Sequence, residues 1–317
     1  MVKIIVDGES YMGKIIAFCN QKGGVGKTTT AINLSSYIAQ SGKKTLLIDA
    51  DPQANATSGV GVNKREVTRS IYDCIMGLAG PDELISTTAV ANLFIIPSHA
   101  SLTGAEVELV AAPQREYRLR EIARPLRERF DFIFIDCPPS LGLLTLNALV
   151  AADSVIIPLQ CEYYALEGLT QLMDTVSRVK RALNIGLEIE GVVLTMADFR
   201  TKLTDEVIRE VKEHFKNKVF TSIIPRSVRL SEAPGFGQPI LLYDAQSIGA
   251  QKYALLAEEF LRRQEAAAIA ALPADGALAA PPPGQAAAMI IDEPAAQVLI
   301  TPENMVQAEG TEPIAQV

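Results

Sequence analysis

No apolar run in this chain reaches the roughly 18 residues needed to cross a bilayer. The N-terminal region lacks the charged, apolar and small-residue order of a secretory signal. Cysteine is scarce. Cys19, Cys74, Cys137 and Cys161 are the four in 317 residues, and no two form a CxxC pair. That spacing argues against a thiolate metal or cluster site and suits a reducing, cytoplasmic setting. No internal repeat and no base-reading motif is visible. Residues 265–317 contain no Lys or Arg, but seven acids: Glu265, Asp275, Asp292, Glu293, Glu303, Glu309 and Glu312. All 29 Lys and Arg therefore fall in residues 1–264, against 30 of the 37 acids. The formal net charge of −8 belongs mostly to the tail, and the near-neutral body leaves room for a local basic face.

What is present is a globular composition. Hydrophobic residues make up 48% and charged residues 21%, enough for a sizeable core. The length suits one large domain or two small ones. Three regions emerge. Residues 1–13 form a short N-terminal extension; either Met12 opens the working chain or the preceding residues are a dispensable addition. Residues 14–263 alternate apolar runs with helical patterns. The runs are Ile15–Asn20, Thr45–Asp49, Leu93–Pro97, Phe132–Asp136, Ser154–Leu159, Glu190–Thr195 and Val219–Ile224. Most are continuously apolar, as in strands buried on both faces of a parallel sheet. Helical patterns over Lys27–Ser41, Glu116–Arg129, Ala165–Leu183 and Leu203–Phe215 separate them. This alternation predicts an α/β, doubly wound, mostly parallel sheet. Residues 264–317 are rich in Ala, Pro, Gln and Glu and read as a disordered tail. Its two apolar islands, Met289–Ile291 and Val298–Ile300, are either partner-binding segments or accidents of composition.

The strongest local signal is Lys22-Gly23-Gly24-Val25-Gly26-Lys27-Thr28-Thr29, between an apolar strand and a helical pattern. That is the context of a phosphate-binding loop. Glycines let backbone N–H groups curl inward, and the helix N-terminus adds partial positive charge. Lys27 is placed to reach β- and γ-phosphates, and the Thr28 hydroxyl to ligate Mg²⁺. Two further apolar runs end in acids, at Asp49-Ala50-Asp51 and at Asp136. Acids at the carboxyl ends of parallel strands lie where open α/β sheets bind ligands. Asp136 suits the holding of the Mg²⁺ hydration shell. A lone strand-end Asp is often a helix cap, but two after such a loop form a site.

The second lysine, Lys22, departs from the general loop. KGGVGKTT resembles the deviant Walker A box of the ParA/MinD ATPases, a P-loop NTPase superfamily. The segments Asp49–Gly59, Asp136–Asn147, Pro158–Gly168 and Ile224–Pro239 narrow the resemblance to the ParA/Soj branch, over residues 14–263. The resemblance implies an ATPase whose dimer encloses ATP, with Lys22 reaching the partner subunit's nucleotide. It implies that Asp51 orients the attacking water, with Asp49 in support. It assigns adenine contacts to Pro225 and the Ser227 backbone, in a turn where Ser227 stands at the family's Asn. It assigns DNA phosphate contacts to Arg200 and Arg229, with no sequence preference. Lys202, Lys212, Lys216, Lys218 and Arg226 lie nearby in sequence and stay unassigned. The implied partners are a second copy, DNA and a ParB-type centromere-binding protein that stimulates hydrolysis, with nucleoid association in the ATP state. Other relatives position other cargo. A MinD-type membrane ATPase ends in a basic amphipathic helix, which this acidic tail does not match, so no stable membrane association is expected. An iron-protein-type reductase would need cluster cysteines flanked by glycine. A dethiobiotin-synthetase type would leave the Ile224–Pro239 segment without a purpose.

Overall fold

The computed structural model describes residues 5–6, 9–10, 13–162 and 165–270. The tail from residue 271 onward, including both apolar islands, lies outside the described residues. Within the expected N-terminal extension, β1 (Ile5–Val6) pairs antiparallel with β2 (Glu9–Ser10). The main body begins with β3 (Lys14–Phe18), α1 (Lys27–Gln40) and β4 (Thr45–Asp49). Short helices α2 (Asn55–Gly59) and α3 (Ile71–Ile75) lead to β5 (Ser86–Thr87) and β6 (Leu93–Ile96). Next come α4 (Leu102–Glu108), α5 (Arg118–Ala123), β7 (Phe132–Asp136), α6 (Leu143–Ala151) and β8 (Ser154–Gln160). The chain continues through α7 (Ala165–Ala182), β9 (Glu188–Thr195) and α8 (Lys202–Phe215). Helices α9 (Val228–Glu232), α10 (Ile240–Tyr243) and α11 (Ile248–Ala270) close the described chain.

The seven-stranded sheet has the order β5-β6-β4-β7-β3-β8-β9 and is parallel except for β5. From β3 the chain moves to β4 and β6, returns to insert β7 beside β3, and then adds β8 and β9 on the other side. That reversal brings the carboxyl ends of β3, β4 and β7 together, where a doubly wound sheet receives its ligand. The continuous apolar runs are explained by burial on both faces. Ile15 and Ala17 join one hydrophobic cluster with Leu144, Leu149 and Leu172. Ile16 and Phe18 join the other with Leu34, Tyr253 and Phe260. Burying each large side chain stabilises the fold by about 1.5–3 kcal/mol.

Three expectations need correction. Val219–Ile224 forms no strand and makes an isolated bridge to β9 at Val219. The Glu259 carboxylate of α11 takes the Thr221 and Ser222 amides at 2.8 and 3.0 Å, so these donors never enter a ladder. The helical pattern over Glu116–Arg129 is broken. α5 ends at Ala123, and a 3₁₀ turn over Arg124–Glu128 follows because Pro125 cannot continue the α-helical hydrogen bonds. Finally, α11 runs past residue 264 into the segment expected to be tail. Gln264 accepts from Lys14 Nζ at 2.7 Å and donates to Glu190 at 2.6 Å, which ties this helix to the sheet.

Candidate functional site

The loop after β3 is shaped by two glycines in the left-handed region, Gly24 at φ 73° and Gly26 at φ 86°. A side chain at either would be strained, so the turn demands glycine. Gly26 is the N-cap of α1, which has no side-chain cap and no acid in its first turn. The first amides of α1 are therefore open to an anion. Buried polar groups brace the loop. Asn20 accepts from the Lys22 amide at 3.0 Å and donates to Pro158 O at 2.8 Å. Thr195, the last residue of β9, donates to Val25 O at 2.8 Å.

Lys27 is only 6% exposed, and its Nζ donates to Lys22 O at 3.1 Å. Burial lowers its pKa, while Asp136 and, more weakly, Asp51 act to keep the charge. Asp136 stands at the end of β7, fully buried, paired in register with Asp49 of β4. Neither Asp136 oxygen has a well-formed hydrogen bond. The Thr28 hydroxyl nevertheless lies near enough to favour the ionised form. Burial and the Asp49 charge push the Asp136 pKa well up. A buried acceptor without a partner costs about 1–3 kcal/mol, and a cation would remove that cost. One carboxylate and one hydroxyl, open toward the phosphate loop, suit Mg²⁺, which keeps waters and takes phosphate oxygens. The residues present therefore fit the expected metal.

Asp49 is held by the Thr57 amide and hydroxyl, both at 2.7 Å, and by the Asp51 amide at 3.1 Å. Burial pushes its pKa up to about 6. Asp51 is 5% exposed, and its carboxylate accepts from the Gln53 amide at 2.9 Å. Ala54 just beyond it takes a left-handed φ of 54°, a local strain of the kind that collects at functional sites. All four cysteines are free and buried. Cys19 and Cys137 lie 3.2 Å apart beneath the loop, and burial raises the Cys137 pKa well above its ordinary value. A protonated thiol there is a packing group.

Lys22 is half exposed and rests against its own subunit, Nζ 3.0 Å from Glu162 Oε2. The turn Pro225-Arg226-Ser227 is anchored beside the end of β9 by the Arg226 amide, which donates to Ala197 O at 3.1 Å. Through Thr195 and Ala197, one strand end thus braces both this turn and the phosphate loop. The expected DNA residues stand apart, on exposed segments. Arg200 precedes α8 and forms an ion pair with Asp198. Arg229 lies in α9, between Glu232 and Asp244. The structure thus gathers Lys22, Lys27, Thr28, Asp51 and Asp136 at one end of the sheet and leaves Arg200 and Arg229 outside. Sequence reasoning missed Asn20, Thr57, Glu162 and Thr195. Asn20 and Thr195 are polar residues at the ends of apolar runs, which is the signal that finds them.

Among the described helices none is long and apolar enough to cross a membrane. The family model described as an AAA domain matches residues 13–189. The chain is 56% identical over 248 residues to the sporulation initiation inhibitor protein Soj of Bacillus subtilis, covering 78% of this chain and 98% of that protein. It is 53% identical to the chromosome partitioning protein ParA of Myxococcus xanthus, covering 81% of this chain and 90% of the relative. Among solved structures, cobyrinic acid a,c-diamide synthase from Mycobacterium smegmatis with bound ADP and magnesium matches with a TM-score of 0.72 at 34% identity. That match covers 81% of this chain and 97% of the synthase chain.

Proposed function

The chain belongs to the ParA/Soj family of chromosome-partitioning ATPases, and we propose that it hydrolyses ATP as a dimer that holds DNA without sequence preference. The observation that carries this reading is the buried Asp136 carboxylate, without a well-formed hydrogen bond, facing Thr28 and Lys27 under an open helix N-terminus. A fold that only packed would not leave such a group uncompensated.

In this reading the loop amides and Lys27 bind the β- and γ-phosphates of ATP. Thr28 and Asp136 would hold Mg²⁺, which would supply charge neutralisation at the phosphoryl group being transferred. Asp51 orients the attacking water. Asp49 fixes the Asp51 backbone through its hydrogen bond to the Asp51 amide. Lys22 leaves Glu162 and reaches the nucleotide of the partner subunit, so the complete site forms only in the dimer. Pro225 and the Ser227 backbone flank adenine, beside the strand end that braces the loop. Arg200 and Arg229 contact DNA phosphates, giving salt-sensitive binding. A ParB-type protein accelerates hydrolysis and releases the dimer from the nucleoid. Residues 14–270, through the end of α11, carry these activities, with 271–317 as an acidic, Ala- and Pro-rich appendage.

The test is retention of random-sequence duplex DNA with ATP, with ADP and without nucleotide. Retention with ATP alone is the expected result. Equal retention in all three sinks the ATP-switched reading.

A further inference from the structure

Both arginines assigned to DNA already have carboxylate partners in their own subunit. Arg200 Nε and Nη2 donate to Asp198 Oδ1 and Oδ2 at 2.8 and 2.7 Å. Arg229 Nη1 donates to Glu232 Oε2 at 3.1 Å, and its Nε lies 3.4 Å from Asp244 Oδ2. Neither arrangement is a chance meeting of loose side chains. The Asp198 carboxylate also accepts the Arg200 amide at 3.2 Å. Glu232 is held beside Arg229 by the Tyr243 hydroxyl at 3.1 Å. Of the other nearby cations, Lys202, Lys212, Lys216 and Lys218 form no ion pair among the described residues, and Arg226 lies 4.0 Å from Glu162, beyond hydrogen-bond distance. A hydrogen-bonded carboxylate thus distinguishes the two arginines from these five.

We propose that Asp198 and Glu232 are competitors for DNA phosphate built into each subunit, so that DNA binds by displacing a carboxylate from an arginine already engaged. The proposal rests on the reading of Arg200 and Arg229 as DNA contacts. Its chemistry is direct. Asp198 occupies the Nε–Nη2 edge of Arg200, one of the two edges at which a guanidinium can hold a phosphate in bidentate fashion. A phosphate arriving there must displace the carboxylate and then lies near an uncompensated negative charge. Arg200 side-chain exposure is 86%, so the pair is weak enough to exchange. The arginine hydrogen bonds hold the Asp198 pKa down at about 2, so it stays ionised wherever DNA is bound. The effect is to keep each arginine from counting as a full phosphate contact. A single subunit is then held off DNA, and a dimer lets go readily when hydrolysis separates it.

The experiment uses the full chain with ATP, Mg²⁺ and a random-sequence duplex across a salt series. Asp198→Asn keeps an oxygen for the Arg200 amide and removes the competing charge. DNA affinity at physiological salt is expected to rise about three- to tenfold, and the slope of log K against log salt to steepen by roughly 1–2 per dimer. In an Arg200→Ala background the same substitution is expected to change neither quantity. Unchanged affinity and slope in Asp198→Asn overturn the proposal. So does a rise that persists without Arg200, which would be a general charge effect. If Arg200→Ala alone binds DNA as wild type does, the DNA reading of Arg200 fails first, and the two failures are distinguishable. Should Asp198→Asn lower the melting temperature enough to prevent measurement, Glu232→Gln read against Arg229→Ala makes the same test at the second pair.

Discussion

Lys27 and Arg200 are both cations assigned to phosphate, yet the fold treats them in opposite ways. Lys27 is 6% exposed, tethered to a loop carbonyl and surrounded by groups from three strand ends. The Arg200 side chain is 86% exposed and is fixed by an aspartate two residues away. The nucleotide end is over-determined: glycine conformations, buried polar braces and facing carboxylates each depend on the others. The DNA rim is local, and each arginine is set by one or two neighbours. The difference teaches where function is abolished by a substitution and where it is graded. Removing a charge from the buried end leaves other charges uncompensated at low dielectric. Removing one from the rim changes a sum of nearly independent terms.

The largest effect belongs to the buried end. Lys27→Ala is expected to lower ATP affinity by about a hundredfold or more, since a buried charge-assisted contact to phosphate is lost. Titration with a fluorescent ATP analogue measures it. Lys22→Ala keeps nucleotide binding within about fivefold, because that lysine is half exposed and paired at the surface. It loses ATP-driven dimerisation, read by light scattering with a slowly hydrolysed analogue. A Lys22→Ala protein that dimerises normally defeats the contact across subunits.

Asp51→Ala comes next. Turnover is expected to fall by about 10²–10³-fold, with ATP still bound. Size-exclusion chromatography with ATP should then show a persistent dimer. Wild-type turnover in this variant would remove Asp51 from the mechanism.

The two regions also differed in how much of them the sequence revealed. The buried site was legible because its requirements are severe. A positive φ needs glycine at Gly24 and Gly26, and strands buried on both faces show as unbroken apolar runs. The acids ending those runs at Asp49 and Asp136 then stand out as exceptions. Length and flanking chemistry limited the rest. The antiparallel edge strand β5 has two residues, too few to show a period. Val219–Ile224 has the composition of a strand, but Glu259, distant in sequence, takes two of its amides. Glu162 was invisible because its importance comes only from the approach of Lys22 across the fold. Arg200 and Arg229 carry no composition signal that separates them from solvated charges. Resemblance alone picked them out, and their carboxylate partners emerged only from the structure.

At the rim, Arg229→Glu reverses one charge per subunit beside Glu232 and Asp244. DNA affinity at physiological salt is expected to drop about tenfold or more, with a shallower salt dependence. ATP-driven dimerisation should persist, since the side chain is exposed and its ion-pair partners are Glu232 and Asp244, not residues of the phosphate loop. Loss of dimerisation in the same variant would mean that rim and buried end are not separable.

The smallest effect sharpens the contrast through two acids. Asp198 at the rim has its pKa pulled to about 2 by hydrogen bonds from Arg200, whereas burial lifts Asp49 to about 6. The ordinary value for both is 3.8. A lowered pKa gives stability that is present above the unfolded value and lost as pH falls through the folded one, so Asp198 matters only in strong acid. A raised pKa works the other way. The stability from Asp49 is full below 3.8 and is lost as pH rises through about 6. Between pH 5 and 7.5 only the second change falls in range, and it corresponds to about 1 kcal/mol. For a domain of this size that is a fall of roughly 2–4 °C in melting temperature. Asp49→Asn cannot ionise, and should flatten that part of the pH profile of the nucleotide-free protein even if it lowers stability overall by disturbing the Thr57 hydrogen bonds. Asp198→Asn should leave the profile in this window as it is in wild type. Parallel profiles for wild type and Asp49→Asn would show that Asp49 is already ionised in the folded protein, its charge held by Thr57 and the Asp51 amide against the cost of burial.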